Sequence, residues 1–454
     1  MRRLLLVLLV ACSTGAKDAH PPVAPLGSAR ATGPDVVDSA HVGSTNAPQS
    51  FTPSTTARPH ASALQALWTV QVGATTAATT MIADGTTLYV GTANGISVLT
   101  PAKGSLVRRI ATAPVVGIAM DRAKIFAATS DGAVVVVSQD GTTVFRAALP
   151  APPTSAPALA DVNGDGAIDA IVGDRRGNVV AIDGKTGSTI WSKAVGDTAN
   201  GAGAASLVDL DGDGKDDVVV GSGGGALVGL RGKDGTVVFT LDGKSPLRAA
   251  PTIVDVDGDG KEEILATWSD ARVAIVSRTG KALWSARVEE DDGTPDPLVA
   301  GAIPIASPRN VVLATPTSGL GTRDGVVLVG ELSRAFRSRE GKVSGTPIVT
   351  RVETEELPSA IVGTDSGAIV AFDALGNRTV LTSVGAPVSA SLLVSDVNAE
   401  GLLELFAVTT SGALSAFLSP APAPALLPRY RGASPHNDGR MPPVRLPWRL
   451  GDAK

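Results

Sequence analysis

The sequence predicts an all-β protein built from repeated units. Glycine is abundant, with 51 residues in a chain of 454, and aromatic residues make up only 3%. Short apolar segments rich in Val, Ala and Thr alternate with glycine-containing turns, and no long stretch has the spacing of an amphipathic helix. A turn glycine also recurs at intervals of about 45 residues, the period of a repeat made of four short strands.

This recurring turn defines the units. In each copy an apolar segment such as Leu88–Val90 leads into a turn that ends in glycine, and a second apolar segment such as Ile96–Leu99 follows. Glycine supplies the positive φ that a tight hairpin turn requires. The clear turn glycines are Gly95, Gly132, Gly177, Gly225, Gly367 and Gly412, and weaker copies occur at Trp268–Ala271 and Arg323–Gly325. The units predict an eight-bladed β-propeller over residues 62–419, with a seven-bladed ring containing one degenerate unit as the alternative.

The two ends of the repeat region predict how the ring closes. After Ala413–Leu418 an outer strand is due, but the prolines of Pro420–Pro424 cannot donate to a strand ladder. Near the start, Ala66–Val70 has the pattern of an outer strand with no unit before it. We therefore expect this N-terminal strand to complete the last blade, which leaves only short sheet edges.

A second glycine turn follows in most units and leads into an outer strand that carries an aromatic residue, as at Trp191, Phe239 and Trp284. We interpret Trp191, Trp268 and Trp284 as packing residues within or between blades, with ligand stacking as the alternative.

Three acidic loops follow the first strand of successive units: Asp161–Asp169, Asp209–Asp217 and Asp255–Glu263. Each places oxygen-bearing side chains at alternate positions, which suits a hard cation that takes six to eight oxygen ligands. Without a cation the close carboxylates would repel one another. Glycines at Gly166, Gly214 and Gly260 permit the bend. A solvated acidic turn with internal hydrogen bonds is the alternative.

The loops resemble calcium-binding loops, and this resemblance implies a ligand for each position. The implied side-chain ligands are Asp161, Asn163, Asp165 and Asp169 in the first loop, Asp209, Asp211, Asp213 and Asp217 in the second, and Asp255, Asp257, Asp259 and Glu263 in the third. The implied backbone carbonyl ligands are those of Ala167, Lys215 and Lys261. A weaker fourth copy offers Asp396, Asn398, Glu400 and Glu404. In the segment Arg351–Glu355 a cation replaces the first ligand, so we expect no site there.

The N-terminus predicts export and lipid anchoring. Two arginines precede a short apolar run that ends Leu9-Val10-Ala11-Cys12, which resembles the lipobox of bacterial lipoproteins. That resemblance implies a signal peptide at residues 1–11, a lipid on Cys12 and an outer-membrane location facing the periplasm or the cell surface. An ordinary signal peptide with an incidental cysteine is the alternative. Residues 12–61 are polar and lack periodicity, which predicts a disordered tether.

The order of strands, acidic loops and glycine turns resembles the quinoprotein-like and FG-GAP/VCBS-type β-propeller families. The tail in residues 420–454 contains Pro428–Arg440, which resembles the segment that often opens quinoprotein-like propellers, and we expect it to pack against the first and last blades. The resemblance implies a protein-interaction or scaffold module, comparable to the propeller lipoprotein of the outer-membrane β-barrel assembly machinery. The alternative is a carbohydrate-binding protein or a hydrolase with its site at the channel mouth.

Enzymatic functions have little support in the sequence. The four histidines, His20, His41, His60 and His436, all lie outside the predicted ring, and Cys12 is the only cysteine. Quinone-dependent dehydrogenases of the resembling family commonly use a pair of adjacent cysteines, which this chain lacks. The net charge of −5 and the absence of basic runs beyond the N-terminus argue against nucleic acid. We therefore expect a monomeric, non-enzymatic protein that contacts the membrane through its lipid and holds structural Ca2+.

Overall fold

A computed structural model describes the backbone of most residues between 64 and 422. The described residues are 4–8, 36–37, 64–75, 81–196, 201–247, 249–270, 272–290, 303–307, 310–317, 325–329, 334–337, 343–350, 359–373, 378–398, 400–422, 436, 438 and 440–441. All regular structure within these ranges is β-strand. No helix among the described residues has the length and apolar character needed to cross a membrane.

The strands are short and follow one another closely. In chain order they are β1 (Leu4–Leu8), β2 (Val36–Val37), β3 (Gln65–Gln71), β4 (Met81–Asp84), β5 (Thr87–Thr92), β6 (Gly95–Thr100), β7 (Ser105–Ile110), β8 (Val115–Asp121), β9 (Lys124–Thr129), β10 (Ala133–Ser138), β11 (Thr143–Ala148), β12 (Ala158–Ala160), β13 (Asp169–Gly173), β14 (Asn178–Ile182), β15 (Thr189–Ala194), β16 (Ala202–Val208), β17 (Asp217–Ser222), β18 (Leu227–Leu230), β19 (Val237–Leu241), β20 (Thr252–Val254), β21 (Glu263–Thr267), β22 (Arg272–Val276), β23 (Ala282–Glu290), β24 (Ile303–Ser307), β25 (Asn310–Thr317), β26 (Gly325–Val329), β27 (Arg334–Arg337), β28 (Val343–Thr350), β29 (Ser359–Thr364), β30 (Ala368–Asp373), β31 (Arg378–Ser383), β32 (Val388–Ser395), β33 (Leu402–Thr409) and β34 (Ala413–Pro422).

Groups of four strands form antiparallel sheets in which consecutive strands are neighbours. We name them sheet I (β4–β7), sheet II (β8–β11), sheet III (β12–β15), sheet IV (β16–β19), sheet V (β20–β23), sheet VI (β24–β27), sheet VII (β28–β31) and sheet VIII (β32–β34 with β3). The short strands β1 and β2 add to the outer edges of sheets V and VI. The first three strands of a sheet such as sheet II are mostly buried, while its fourth, β11, is mostly exposed.

Apolar cores join neighbouring sheets face to face, which is the packing of a β-propeller. Separate clusters of buried residues connect sheets VII and VIII, VIII and I, I and II, II and III, III and IV, and IV and V. Seven sheets therefore form an unbroken series. Sheet VI falls between sheets V and VII along the chain, and only its backbone is described; its strand β25 contacts β28 of sheet VII.

These observations confirm the prediction of a β-propeller. The seven sheets joined by apolar cores support the seven-bladed alternative, whereas the eight-bladed prediction also requires sheet VI to be a blade. The weaker turn at Arg323–Gly325 lies in that segment, where Gly325 begins β26. The eight-bladed prediction is therefore not supported by the described cores, and the seven-bladed alternative is.

The N-terminal strand closes the ring as predicted. Strand β3 pairs with β34 from Gln65 opposite Leu418 to Gln71 opposite Ala413. Across this junction the hydroxyls of Thr69 and Ser415 lie 2.9 Å apart. Sheet VIII therefore combines residues from both ends of the described region.

The expectation that Pro420–Pro424 lies outside any strand is wrong in part. Strand β34 extends to Pro422, which lies opposite Leu402 of β33. The pairing with the other neighbour, β3, stops at Leu418, which lies opposite the first residue of β3, Gln65. Beyond that point β34 has a neighbour on one side only, so a proline costs no ladder hydrogen bond on the other side.

The predicted signal peptide, tether and tail fall mostly outside the described residues. Of residues 1–61 the structure describes the backbone of Leu4–Leu8 and Val36–Val37. Cys12 lies outside the described residues. Beyond Pro422 only residues 436, 438, 440 and 441 are described.

An aromatic ring on one sheet rests on a turn glycine of the next sheet. A Cβ atom on Gly104, Gly187, Gly235 or Gly280 would approach within 2.4 to 2.8 Å of a ring atom. These rings, each from the outer strand of the preceding sheet, are those of Trp68, Phe145, Trp191 and Phe239. The recurring second turn and the recurring outer-strand aromatic are thus the two halves of one contact.

Buried tryptophans confirm the packing interpretation at two of the three positions. The Trp191 indole N–H donates to the Gly232 carbonyl at 2.6 Å, and that of Trp268 donates to Gly225 at 2.8 Å. The Arg272 guanidinium also lies 4.0 Å from the centre of the Trp268 ring. Trp284 is half-buried on β23.

We expect Gly235→Ala to destabilise the protein more than Gly85→Ala. Both glycines have positive φ, so each alanine bears a left-handed cost of about 1–2 kcal/mol. Only at Gly235 would the new Cβ meet a ring, 2.8 Å from Trp191, whereas nothing lies within 4 Å at Gly85. Overpacking adds about 1–3 kcal/mol. Urea unfolding of both variants measures the difference, and equal losses would contradict the contact.

Candidate metal loops

The acidic loops all lie at the same end of their sheets. Each connects the first strand of a sheet to the second: β12 to β13, β16 to β17, β20 to β21, and β32 to β33 for the weaker copy. Since first strands are the innermost strands of propeller blades, these loops surround one mouth of the central channel. This placement agrees with the sequence prediction.

The first acid of each loop is enclosed by backbone N–H groups. Asp161 accepts hydrogen bonds from the N–H groups of Gly164, Asp165 and Gly166 at 2.7 to 3.1 Å. Asp209, Asp255 and Asp396 repeat the pattern with the N–H groups three to five residues further on. Backbone donors arranged in this way bind an anionic group and hold the loop closed around it.

Two glycines in each of the first three loops take the left-handed conformation. The predicted bend residues Gly166, Gly214 and Gly260 have φ between 81° and 83°. Gly164, Gly212 and Gly258 have positive φ as well, and sequence reasoning did not single them out. A second left-handed residue is what turns the loop tightly enough for two of its N–H groups to reach the first carboxylate.

The last acid of each loop is buried and holds the loop to its own sheet. Asp169 accepts the Val162 N–H at 3.1 Å and the N–H of Gly184, which follows β14, at 3.0 Å. Asp217 makes the equivalent contacts with Leu210 and Gly232. Glu263 and Glu404 accept the corresponding loop N–H groups of Val256 and Val397 at 3.0 Å.

Burial of these last acids favours their neutral form. It raises the pKa of Asp169 to about 6 and that of Glu263 to about 7. For Glu263 the carboxylates of its own loop add to the rise, and the hydrogen bond from Val256 opposes it. The pKa values of Asp217 and Glu404 are raised too, with burial as the main cause.

Carboxylate oxygens converge in the second and third loops. Asp209, Asp211 and Asp217 each place an oxygen within 4.8 Å of the others, and so do Asp255, Asp257 and Asp259. Such hard oxygen sets fit Ca2+ or Mg2+. Among the described residues of the first loop, the three carboxylates do not come this close together. There Asn163 contributes an amide oxygen, which accepts the Asp165 N–H at 2.8 Å.

Basic side chains approach each of the first three loops. Lys215 of the second loop reaches the first, where a Cβ on Gly164 would lie 2.2 Å from its ammonium nitrogen. Arg231 Nε lies 3.1 Å from an Asp211 oxygen, and both side chains are partly exposed. In the third loop Arg278 pairs with Glu262 at 2.9 Å. These contacts offset part of the negative charge of the loops.

The remaining predicted ligands keep the status of predictions. The N–H groups of Ala167, Lys215 and Lys261 donate to the preceding aspartates at 2.7 to 2.8 Å. These hydrogen bonds involve the N–H groups and do not test whether the carbonyls of the same residues bind a cation. In the fourth loop Glu400 uses its N–H toward Asp396 and Asn398. The segment Arg351–Glu355 lies outside the described residues.

The C-terminal tail meets the same mouth of the channel, a feature that the sequence interpretation missed. The carbonyls of His436 and Asp438 accept the N–H groups of Leu159 and Leu207, both at 2.8 Å, and the Met441 N–H donates to Ile253. Arg440 forms ion pairs with Asp216 and Glu262. These described tail residues lie on sheets II to V, so the expected contact with the first and last blades is wrong for them.

Two family models match overlapping parts of the chain, which has the fold and loops of a repeat β-propeller. The model described as Outer membrane protein assembly factor BamB matches residues 65–214. The model of the FG-GAP-like repeat matches residues 209–266, which contain the second and third acidic loops. The resemblance to quinoprotein-like and FG-GAP-type repeats is thus confirmed for these segments. No curated protein matches the sequence.

Solved structures share the fold at low sequence identity. BamB from Moraxella catarrhalis is 16% identical with a TM-score of 0.56, over 78% of this chain and 99% of that one. Sqt1 from Saccharomyces cerevisiae is 14% identical with a TM-score of 0.61, over 79% and 100%. Quinohemoprotein alcohol dehydrogenase from Comamonas testosteroni is 13% identical with a TM-score of 0.58, over 80% and 77%. Identities this low establish the propeller fold alone.

We expect the stability of the ion-free protein to fall as pH rises from about 5 to 7. Asp169 and Glu263 have folded pKa values of about 6 and about 7, above those of free carboxyl groups. The folded state therefore binds more protons than the unfolded state in this window and loses that advantage as pH increases. Glu263→Gln should reduce the slope of the unfolding free energy against pH, because glutamine keeps an acceptor for the Val256 N–H but does not titrate. Urea unfolding with chelator present measures this slope.

Asp131→Asn provides the control. The pKa of Asp131 is lowered, chiefly by its hydrogen bond from Thr129, so this group titrates below the window. The unfolding free energy of Asp131→Asn should therefore change with pH as steeply as that of the wild type. An unchanged slope in Glu263→Gln would show that the buried glutamate does not titrate between pH 5 and 7.

Proposed function

We propose that this chain is an envelope scaffold that binds other proteins through its propeller. The observation that carries this proposal is the match of residues 65–214 to the BamB assembly-factor model. That region covers the closing strand β3, sheets I to III and the first part of sheet IV. Broad binding faces at the two ends of a rigid ring suit such a role, because the apolar cores between sheets are already occupied.

We propose further that Ca2+ stabilises sheets III, IV and V through their acidic loops. Convergence of carboxylate oxygens in the second and third loops supports this, since close like charges are relieved by a cation. Asp209 and Asp255 would serve two roles, as ligands and as acceptors for the loop N–H groups. The fourth loop is a weaker candidate, because Glu400 stands where the other loops have aspartate.

Calcium should raise the melting temperature of the protein, and chelation should lower it. Ligand bound only to the folded state stabilises it by about 2.7 kcal/mol per site at one hundred times the dissociation constant. Asp257→Ala removes a carboxylate from the third cluster and should reduce the calcium-induced shift, as should Asp211→Ala in the second. Differential scanning calorimetry with chelator and with added Ca2+ measures the shift.

Asp131→Ala is the matched control, since Asp131 is an exposed aspartate that pairs with Arg146 outside the loops. Its calcium-induced shift should equal that of the wild type. If calcium leaves the melting temperature of a fully chelated wild-type sample unchanged, the loops are solvated acidic turns.

We propose that a lipid on Cys12 anchors the scaffold to the bacterial outer membrane, facing the periplasm or the cell surface. The lipobox-like sequence Leu9–Cys12 supports this, and the polar tether over residues 12–61 supplies the reach. One lipid-modified cysteine bears two or more acyl chains, which suffices for stable membrane binding.

Cys12→Ser should move the protein from the membrane fraction to the soluble fraction and abolish incorporation of labelled palmitate. Proximity labelling on the native envelope then tests the scaffold itself. The wild type should label a defined set of envelope proteins, and Cys12→Ser should lose them. Palmitate incorporation that persists in Cys12→Ser would contradict the anchor, and random labelling by the wild type would contradict the scaffold.

We propose that the protein is not an enzyme. The buried last acids of the loops are bound to backbone N–H groups, and the one described histidine, His436, contacts Asp121. The alternative of carbohydrate binding or hydrolysis at the channel mouth is tested by a glycan panel. Turnover that depends on one channel carboxylate would replace the scaffold proposal.

The blade number depends on where sheet VI lies. Its strand β25 contacts β28 of sheet VII. Placed in the ring between sheets V and VII, it makes eight blades; packed outside the ring, it leaves seven. Electron-microscopic class averages viewed along the channel axis count the blades directly.

A further inference from the structure

The described tail residues follow the inner rim of the ring from sheet to sheet. His436 contacts Leu159 on β12, Asp438 contacts Leu207 on β16, and Arg440 and Met441 contact Ile253 on β20. Arg440 and Ile253 form a parallel bridge. Three adjacent first strands are thus contacted by the four described tail residues.

The contacts recur every second residue, which is the period of an extended chain. Alternate backbone carbonyls of a strand point the same way and are about 6.6–6.8 Å apart. The tail presents the carbonyls of His436 and Asp438 to the first two of these strands and the N–H group of Met441 to the third. The inner edges of β12, β16 and β20 thus offer both donors and an acceptor to the backbone of the tail.

The first strands offer these groups because each is an edge strand of its sheet. Strands β12, β16 and β20 pair with one neighbour only. The other edge carries backbone groups that no strand of the same sheet satisfies. Unpaired strand edges of this kind are the surfaces on which extended peptides add by backbone hydrogen bonds.

Acidic side chains set the charge preference of this rim. Asp121, at the end of β8, lies 3.1 Å from His436 Nε2. Asp216, in the second acidic loop, pairs with the Arg440 guanidinium, and Glu262 lies 3.7 Å from Arg440 Nε. Burial works to lower the pKa of Arg440, but these carboxylates outweigh burial and raise the pKa above its ordinary value. The rim therefore favours an extended segment that places a basic group, such as Arg440, between Asp216 and Glu262.

We propose that this inner rim is a binding site for an extended basic segment of a partner protein, and that the chain's own tail occupies it as a built-in competitor. This inference rests on the proposed scaffold function and specifies how the scaffold binds. A tail joined to the ring has an effective concentration on the order of millimolar, so a partner segment binds well only when the tail is displaced or the segment outcompetes it.

The test uses the full chain and a fluorescein-labelled peptide with the sequence of residues 432–443. Arg440→Glu places a like charge against Asp216 and Glu262 and should release the tail. Fluorescence anisotropy should then show the peptide binding this variant at least tenfold more tightly than it binds the wild type. Arg146→Glu, which breaks the exposed pair with Asp131, is the control and should bind like the wild type.

Two further arms test the chemistry of the site. Adding Asp216→Asn and Glu262→Gln to the Arg440→Glu chain should weaken peptide binding at least tenfold. A peptide in which the residue corresponding to Arg440 is glutamate should not bind. The melting temperature of every variant is measured first, and Arg440→Ala replaces Arg440→Glu if the latter does not fold.

Four outcomes would overturn the proposal. The first is that folded Arg440→Glu or Arg440→Ala chains do not bind the peptide. The second is that both variants fail to fold, which would make the tail a structural clamp. The peptide could bind the wild type equally well, which would show that the tail does not compete. The acidic-site variants could bind undiminished. Proximity labelling that still finds partners for the wild type would then retain the scaffold function without this site.

Discussion

The contact of an aromatic ring with a turn glycine links four pairs of neighbouring sheets: VIII and I, II and III, III and IV, and IV and V. Trp191 of sheet III rests where a Cβ on Gly235 of sheet IV would stand, and Phe239 of sheet IV has the same relation to Gly280 of sheet V. Dispersion forces fall steeply with distance, so close approach of a large ring contributes more than the same ring held a methyl group away. The contact sets the spacing of neighbouring sheets at their outer edges, while the apolar clusters fill the space between their faces.

Ring closure depends on the same contact made across the ends of the chain. Trp68 belongs to β3, whose partner β34 lies more than 300 residues away. The Trp68 ring rests at Gly104 of sheet I, its N–H donates to the Pro101 carbonyl, and it lies 6.0 Å from Phe406. One residue of sheet VIII therefore joins that sheet to sheet I. Such non-local contacts form late because closing so long a loop costs entropy.

Hydrogen bonds from backbone N–H groups to carboxylates hold the acidic loops in shape without a cation. The first acid closes the turn, and the last acid fixes the loop to a turn of the same sheet. Both tasks need an anion or a strong acceptor at the same positions that a calcium ion would use. The oxygens that converge are therefore held in place by hydrogen bonds, which reduces the entropy that a cation must overcome on binding.

Much of the fold could be predicted because repetition makes local signals reliable. A turn such as Thr92–Gly95 is ambiguous alone, but its recurrence at one period identified the repeat and placed the acidic loops between first and second strands. The strand over Pro420 and Pro422 was misjudged, because a proline's cost depends on whether a neighbouring strand lies opposite it. The second left-handed glycine in each of the first three loops was visible in the sequence and was not given its role.

By itself the sequence determined the all-β repeat, the closing strand, the order of the loops and the spacing of their oxygen-bearing side chains. These follow from residue types and spacing, which act over a few residues along the chain. Only the tertiary structure decided that Lys215 of one loop reaches Gly164 of another, that Trp191 rests on Gly235, and that His436, Asp438 and Arg440 cross three sheets. Those contacts join residues that are distant in sequence, and the curvature of the ring, which no local pattern encodes, brings them together.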